Sequence, residues 1–340
     1  MDDSPEGTHA YAYDDVYRLT AADHPGAMEN RMPDESYSYD AVGNRLSSLG
    51  ARVMLGALRK AEYEYDDGYR LATDSVYVYK YDRRGNMISR VRSADGLRWE
   101  YDYDAEDRLA EARRFPGFAS GGEFFATGAP DVVAVYAYDL LGRRVSKTVN
   151  GAARKYVYTG WNVAMELDGR DRVVARYYHL PGALDHPVAM VRGMDENGQG
   201  GQTFYYHYDE RGSVVALTNE AGEVVQRYEY DSFGNMTLVE GGIANPYTYT
   251  GREWDAETGL YYYRFRHYDP ETGRFLQTDP VFDLDAYSYA GNNPVNYTDP
   301  FGLKTAGGVG GGGKTKDIKV FRYFYPKVFC DNSGCFMVEI

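Results

Sequence analysis

The sequence predicts a mainly β protein: winding antiparallel β-hairpin repeats followed by a short C-terminal tail. Three observations carry that prediction. Tyrosines recur two residues apart, in pairs opening at Tyr11, Tyr37, Tyr63, Tyr79, Tyr101, Tyr136, Tyr156, Tyr206, Tyr228, Tyr247, Tyr261 and Tyr287. Most pairs run straight into Asp and then a turn residue. Tyr (35) and Gly (38) are abundant among the 340 residues, which favours strands and turns over helices. An array of this kind marks a repeat protein, and the repeat sets the fold before any local assignment.

One unit shows why. In Tyr136-Ala137-Tyr138-Asp139-Leu140-Leu141-Gly142-Arg143 both tyrosines share one strand face, because side chains alternate with period two. Asp139 opens a turn by accepting backbone N–H groups, and Gly142 takes the position where φ is positive. The chain then returns as Arg143–Val149. The plan recurs at Tyr39-Asp40, Tyr81-Asp82, Tyr208-Asp209, Tyr230-Asp231 and Tyr268-Asp269, each followed by Gly. It degenerates where Gly is replaced, at Tyr13-Asp14 (Tyr17) and Tyr103-Asp104 (Asp107). Spacing is too uneven for propeller blades and favours a winding sheet with loops of variable length.

In chain order, residues 1–155 read as hairpin repeats, with Leu49–Lys60 compatible with a short helix of imperfect period. Residues 156–204 are a less regular repeat segment, and residues 205–303 a dense block of strands and turns. Residues 304–340 hold a Gly-rich linker, Gly307–Gly313, and a short tail whose hairpin turns at Asp331-Asn332-Ser333-Gly334. Tyr and Thr suggest that one sheet face is amphipathic and wet.

Net charge is −14. The tail carries six Lys/Arg against three Asp/Glu, or +3, which leaves −17 for residues 1–303. So acidic a body argues against nucleic-acid binding by that body. No apolar run is long enough to span a bilayer. Met1–Glu6 lacks the basic and apolar regions of a signal peptide, which leaves a fragment of a larger chain, another export route or an internal location.

The block from Tyr206-His207-Tyr208-Asp209-Glu210-Arg211-Gly212-Ser213 resembles the Rhs (rearrangement hot spot) or YD-repeat proteins. So do Asp255–Arg264, Arg266–Leu276 and the close Asn292-Asn293-Pro294-Val295-Asn296-Tyr297-Thr298-Asp299-Pro300-Phe301-Gly302-Leu303, which is similar to the end of the Rhs-associated core. The resemblance implies that the hairpins form part of a YD-repeat shell, a hollow β-cocoon around a carboxy-terminal polymorphic toxin. Bacterial toxins, insecticidal toxin-complex subunits and teneurins share that shell. It further implies an intramolecular aspartyl-type protease that cuts after the terminal Leu, here at Leu303–Lys304. The family's two aspartates match Asp279 and Asp299, and its arginine partner matches Arg266. Water being the nucleophile, no cofactor or metal is expected. The implied partners are the chain's own tail, upstream repeats or another shell chain, and an immunity protein. Such a protein would be secreted or associated with the cell envelope.

Two carboxylates hydrolyse a peptide when one is ionised and the other protonated, a state that like charges at close range supply. Arg266 would hold one carboxylate ionised or fix the orientation of the pair. The rival for both aspartates is plain turn capping in Asp-Pro sequences. The loop Asp279-Pro280-Val281-Phe282-Asp283-Leu284-Asp285 also lacks the family's Gly-Gly, leaving Asp283 or Asp285 as a substitute for Asp279 or as a solvated residue. The tail reads as a hairpin with thiols at Cys330 and Cys335, and as a truncated effector, a degenerate one or a plug. Its two cysteines and absent histidines do not make a zinc site. The six histidines have no ligand spacing. The competing function is a non-enzymatic cell-surface module that binds glycans on exposed tyrosines, or an inactive remnant.

Overall fold

The computed structural model describes residues 9–24, 33–54, 57–117, 119–120, 123–124, 128–281, 286–303, 306–307, 327–331 and 334–338. Twenty strands, from Ala10–Tyr13 to Met236–Gly241, form one antiparallel sheet in which sequential strands pair. Leu109–Phe115 pairs directly with Val132–Tyr138, so the small hairpin Ala119–Ser120/Glu123–Phe124 stands outside the ladder. Each end strand has one partner among the described residues, so the sheet is open. No α-helix occurs among the described residues, only 3-10 turns at Tyr249–Gly251 and Ala290–Asn292.

The Tyr-x-Tyr-Asp spelling does three separate jobs. The first tyrosine of most pairs enters the core, as Tyr37, Tyr63, Tyr79, Tyr101, Tyr136, Tyr206 and Tyr228 do, whereas Tyr11 is exposed. The second donates its hydroxyl to a carbonyl at the start of an earlier strand. Tyr39 reaches Leu19 (2.9 Å), Tyr65 Arg45 (2.9 Å), Tyr103 Met87 (2.7 Å), Tyr138 Leu109 (2.7 Å) and Tyr158 Arg144 (2.8 Å). A half-buried ring thus satisfies its own polar end while pinning the preceding hairpin. The Asp then caps the turn: Asp139 Oδ1 accepts the N–H groups of Leu141 and Arg143 at 2.9 Å each, and Oδ2 takes Arg143 Nε at 2.7 Å.

The residue three after that Asp is left-handed whether or not it is glycine. Gly142 has φ +81°, and Tyr17, Tyr69 and Asp107 have φ of 65°, 59° and 61°. That geometry turns the carbonyl outward, where donors from residues 261–293 take it. Asn293 Nδ2 reaches Tyr17 (2.7 Å), Asn292 Nδ2 reaches Gly43 (2.9 Å) and Arg274 Nη2 reaches Tyr69 (3.1 Å). Tyr287 Oη reaches Gly85 (2.7 Å), Tyr262 Oη reaches Gly142 (3.2 Å) and Tyr261 Oη reaches Gly234 (2.9 Å).

These donors belong to or follow a four-stranded meander, Glu253–Asp255, Leu260–Tyr263, Arg266–Asp269 and Arg274–Phe275, buried along nearly its whole length. Tyr261, Tyr263, Tyr268, Phe275 and Tyr289 pack with Tyr177, Phe204, Tyr206 and Tyr228 of the large sheet in one apolar cluster. Buried ion pairs tie meander to sheet. Arg144 meets Asp255 and Glu253 at 2.6 Å each, Lys147 meets Asp255 at 2.8 Å, and Arg90 meets Asp269 at 2.9 Å. Glu35 accepts the Ser232 N–H at 3.0 Å, so the early hairpins meet the turn before the last strand.

Two expectations are corrected. Leu49–Lys60 is not helical: Arg45–Met54 and Ala57–Tyr65 are paired strands. Most paired tyrosines do not form a wet face: the first of the pair is generally buried, and the second is half-buried with its hydroxyl on a backbone carbonyl in several hairpins.

The chain divides into compact units Met1–Val309 and Gly310–Ile340. In the second, Lys327–Asp331 pairs with Gly334–Val338, with Cys330 opposite Cys335 in register, as the turn at 331–334 predicts.

Candidate functional site

The hairpin Leu260–Tyr263/Arg266–Asp269 turns through Arg264 and Phe265. Its return strand places the Arg266 guanidinium, 3% exposed, over the Phe275 ring at 3.7 Å. Buried there, Arg266 needs acceptors for its N–H groups. Nη2 meets Asp279 Oδ2 at 2.9 Å and Asp299 Oδ2 at 3.3 Å. Nη1 donates to the Ala286 carbonyl at 3.0 Å, and Nε to the Gly302 carbonyl. Both sequence-predicted aspartates and the predicted arginine therefore meet at one nitrogen.

Each aspartate also does turn work. Asp279 Oδ1 accepts the Val281 N–H at 2.8 Å, and Asp299 Oδ1 the Leu303 N–H at 3.0 Å. Turn capping and Arg266 pairing use different oxygens of the same carboxylates. Asp299 is buried, and its bond to Leu303 sets it beside the residue that precedes the expected exit bond. Lys304, Asp283 and Asp285 lie outside the described residues.

Gly302 is required where it sits. Its φ is +69°, and a Cβ there would lie 2.8 Å from the Tyr263 carbonyl oxygen and 3.3 Å from Arg266 Cβ. Only glycine lets this segment lie so close to the meander.

Sequence reasoning missed a further cluster of buried charge. Asp185 Oδ2 meets Arg252 Nη1 and Arg264 Nη2 at 2.7 Å each. Both arginines also donate to the Pro300 carbonyl, at 2.7 and 3.1 Å. Burial opposes the charge on Arg264, but the Asp185 carboxylate together with Tyr262, Glu253 and Tyr158 outweighs it, and its pKa lies above the ordinary arginine value. The spacing Arg264-Phe265-Arg266 in an aromatic run was a legible signal for the arginines. Asp185, in a loop of the large sheet, carried none.

Chemically, the cluster offers two carboxylates, one shared cation and a fixed backbone segment. Among the described residues no group of His, Cys, Asp or Glu side chains suits a metal ion. No described helix is long and apolar enough to cross a membrane.

Fold and site define a tyrosine-repeat β-shell section whose aromatic core is locked against the hairpin turns. The chain belongs to the teneurin YD-shell family, whose model matches residues 3–296. It is similar to the tRNA3(Ser)-specific nuclease WapA of Bacillus spizizenii, with 32% identity over 78% of this chain and 11% of that protein. It also matches the double-stranded DNA deaminase toxin A of Burkholderia cenocepacia, 29% identical over 88% of this chain and 21% of that protein. Among solved structures it is similar to a chain of the TcdB2-TccC3-Cdc42 structure, with 19% identity, TM-score 0.47 and coverage of 87% of this chain and 18% of that one. The chain thus spans far less than two thirds of these relatives. The Rhs/YD-repeat resemblance is borne out, and the chain is a toxin-related YD-shell protein.

Proposed function

We propose that this chain is a shell section that encloses a toxin-like segment and severs the Leu303–Lys304 bond by intramolecular aspartyl hydrolysis. The observation that carries the reading is Arg266, which holds Asp279, Asp299 and the Gly302 carbonyl at one point beside Leu303. In the reaction one carboxylate takes a proton from water as its oxygen adds to the Leu303 carbonyl carbon. The other carboxyl group gives a proton to the Lys304 nitrogen as the C–N bond breaks. The products are a carboxyl terminus at Leu303, which keeps the water's OH, and an amine at Lys304; the water's other proton stays on the first carboxylate and replaces the one the second gave up. Arg266 orients the carboxylates and holds one of them ionised.

Several further readings rest on the same proposal. The open sheet ends at Ala10–Tyr13 and Met236–Gly241 support pairing with further shell strands from the same or another chain. The toxin relatives support export to the envelope or beyond, and an immunity protein matched to the released segment.

Asp279→Asn and Asp299→Asn test the chemistry, since each removes an ionisable carboxyl while nearly preserving shape. Denaturing gel electrophoresis of wild type is expected to show fragments of 303 and 37 residues. Each variant is expected to stay whole. Continued cutting at Leu303 in both variants would falsify the assignment.

A further inference from the structure

Three successive carbonyls before the exit bond are each taken by a donor from one turn of the meander. Pro300 is held by Arg252 Nη1 (2.7 Å) and Arg264 Nη1 (3.1 Å), Phe301 by the Phe265 N–H (3.2 Å) and Gly302 by Arg266 Nε. The next N–H, that of Leu303, goes to Asp299. This comb fixes the register of the segment against the carboxylates, because a one-residue slip would strand every one of these bonds.

The comb depends on Asp185. Arg252 and Arg264 are like charges that converge on one carbonyl, and a single buried carboxylate lies between them. Asp185 is itself over-determined. Its φ is +45°, left-handed backbone that residues other than glycine adopt infrequently, and its N–H donates to Asn162 Oδ1 at 2.8 Å. The Asn162 amide holds the same loop through the Ala183 carbonyl at 2.8 Å. Gly251 permits the approach, since a Cβ there would lie 2.6 Å from the Asp185 carbonyl oxygen. Trp161 adds a wall, with its ring edge-on to Phe301 at 5.7 Å and its carbonyl taking Arg264 Nη2 at 3.2 Å. Strained backbone held by this many contacts is typical of functional positions.

We infer that Asp185 is a positioning residue for exit-bond scission: it aligns Arg252 and Arg264 so that they set which peptide bond faces Asp279 and Asp299. Asp185 and Trp161 come from turns of the large sheet, whereas the carboxylates follow the meander. The site is therefore in register only when the shell has folded around it. This rests on the self-cleavage reading.

The test compares wild type, Asp185→Asn and Arg252→Lys, following cleavage by intact-mass spectrometry over a pH series and hydrogen exchange in peptides covering residues 298–303. Arg252→Lys keeps the charge but loses the fork that serves Asp185 and Pro300 together. It carries the test if Asp185→Asn does not fold. The expected variants cut at least about tenfold more slowly, since an ångström of misplacement costs up to ~100-fold. They also yield fragment masses from bonds adjacent to Leu303–Lys304, exchange faster at residues 301–303, and keep the wild-type pH profile because the carboxylates are untouched. A folded variant with wild-type rate, one cut site and wild-type exchange overturns the inference. A wild type that never cuts overturns the self-cleavage reading itself, and this inference with it, whatever the exchange shows.

Discussion

Replacing Arg144 with methionine tests the attachment of the meander to the sheet. Arg144 is 1% exposed and meets Glu253 Oε2 and Asp255 Oδ2 at 2.6 Å each, beneath the Tyr262 ring at 4.4 Å. Methionine fills most of the stem volume, so the loss is chiefly electrostatic. Asp255 keeps Lys147 at 2.8 Å, and Glu253 is the carboxylate left without its arginine. Breaking a buried pair by removing one partner costs about 3–5 kcal/mol, between about a fifth and the whole of a stability of roughly 5–15 kcal/mol. Burial already pushes the Glu253 carboxyl above its ordinary value, against the pull of Arg144. Without that arginine it relieves the penalty by binding a proton, so the cost shrinks as pH falls toward 5. Urea unfolding at pH 7, followed by tyrosine fluorescence and far-UV circular dichroism, is expected to show the lower midpoint with an unchanged slope. Adding Glu253→Gln is expected to recover at least about 1 kcal/mol. A single-variant loss below ~1 kcal/mol, or no recovery in the double variant, refutes the role given to these pairs.

Gly302→Ala forces a side chain into a left-handed position against Tyr263 and Arg266, at a cost of roughly 2–4 kcal/mol from backbone strain and overpacking together; loss of the Arg266 contact should abolish cutting, and a wild-type melting curve with wild-type cutting would contradict this. His267 is buried, and desolvation, helped by Arg144 and Lys147, lowers its pKa to about 3 against the pull of Asp255. The unfolded chain takes up that proton near pH 6.5 and the folded chain only near pH 3, so stability is lost as pH falls between them, about 2 kcal/mol from pH 6.5 to 5. His267→Gln should flatten that part of the stability–pH curve, and an unchanged slope would show that His267 does not contribute it.

The repeats were legible because one spelling carries strand face, hydroxyl anchor, turn cap and left-handed corner at once. Gly was not essential to the corner: Tyr17 and Tyr69 occupy it because the Asp cap and the meander donors fix the backbone around them. The Leu49–Lys60 segment misled because Ala, Leu, Arg and Lys favour helix locally. Pairing with Glu35–Tyr39 and with Ala57–Tyr65 overrode that preference, helped by Gly50 at φ +84°. The tyrosine faces read as wet because hydroxyls suggest solvent, whereas here they meet carbonyls whose positions depend on register. Arg266, Asp279 and Asp299 were found through family motifs at the close of the chain. Asp185 reaches the site only through folding, from a loop far away in sequence, and no local pattern marks it.

Intact-mass spectrometry of freshly purified wild-type chain, sampled over time at several dilutions, tests the central claim most directly. Conversion to fragments of 303 and 37 residues at a rate independent of concentration is the expected result. A chain that keeps its full mass, or one whose cutting slows on dilution or yields other termini, contradicts it.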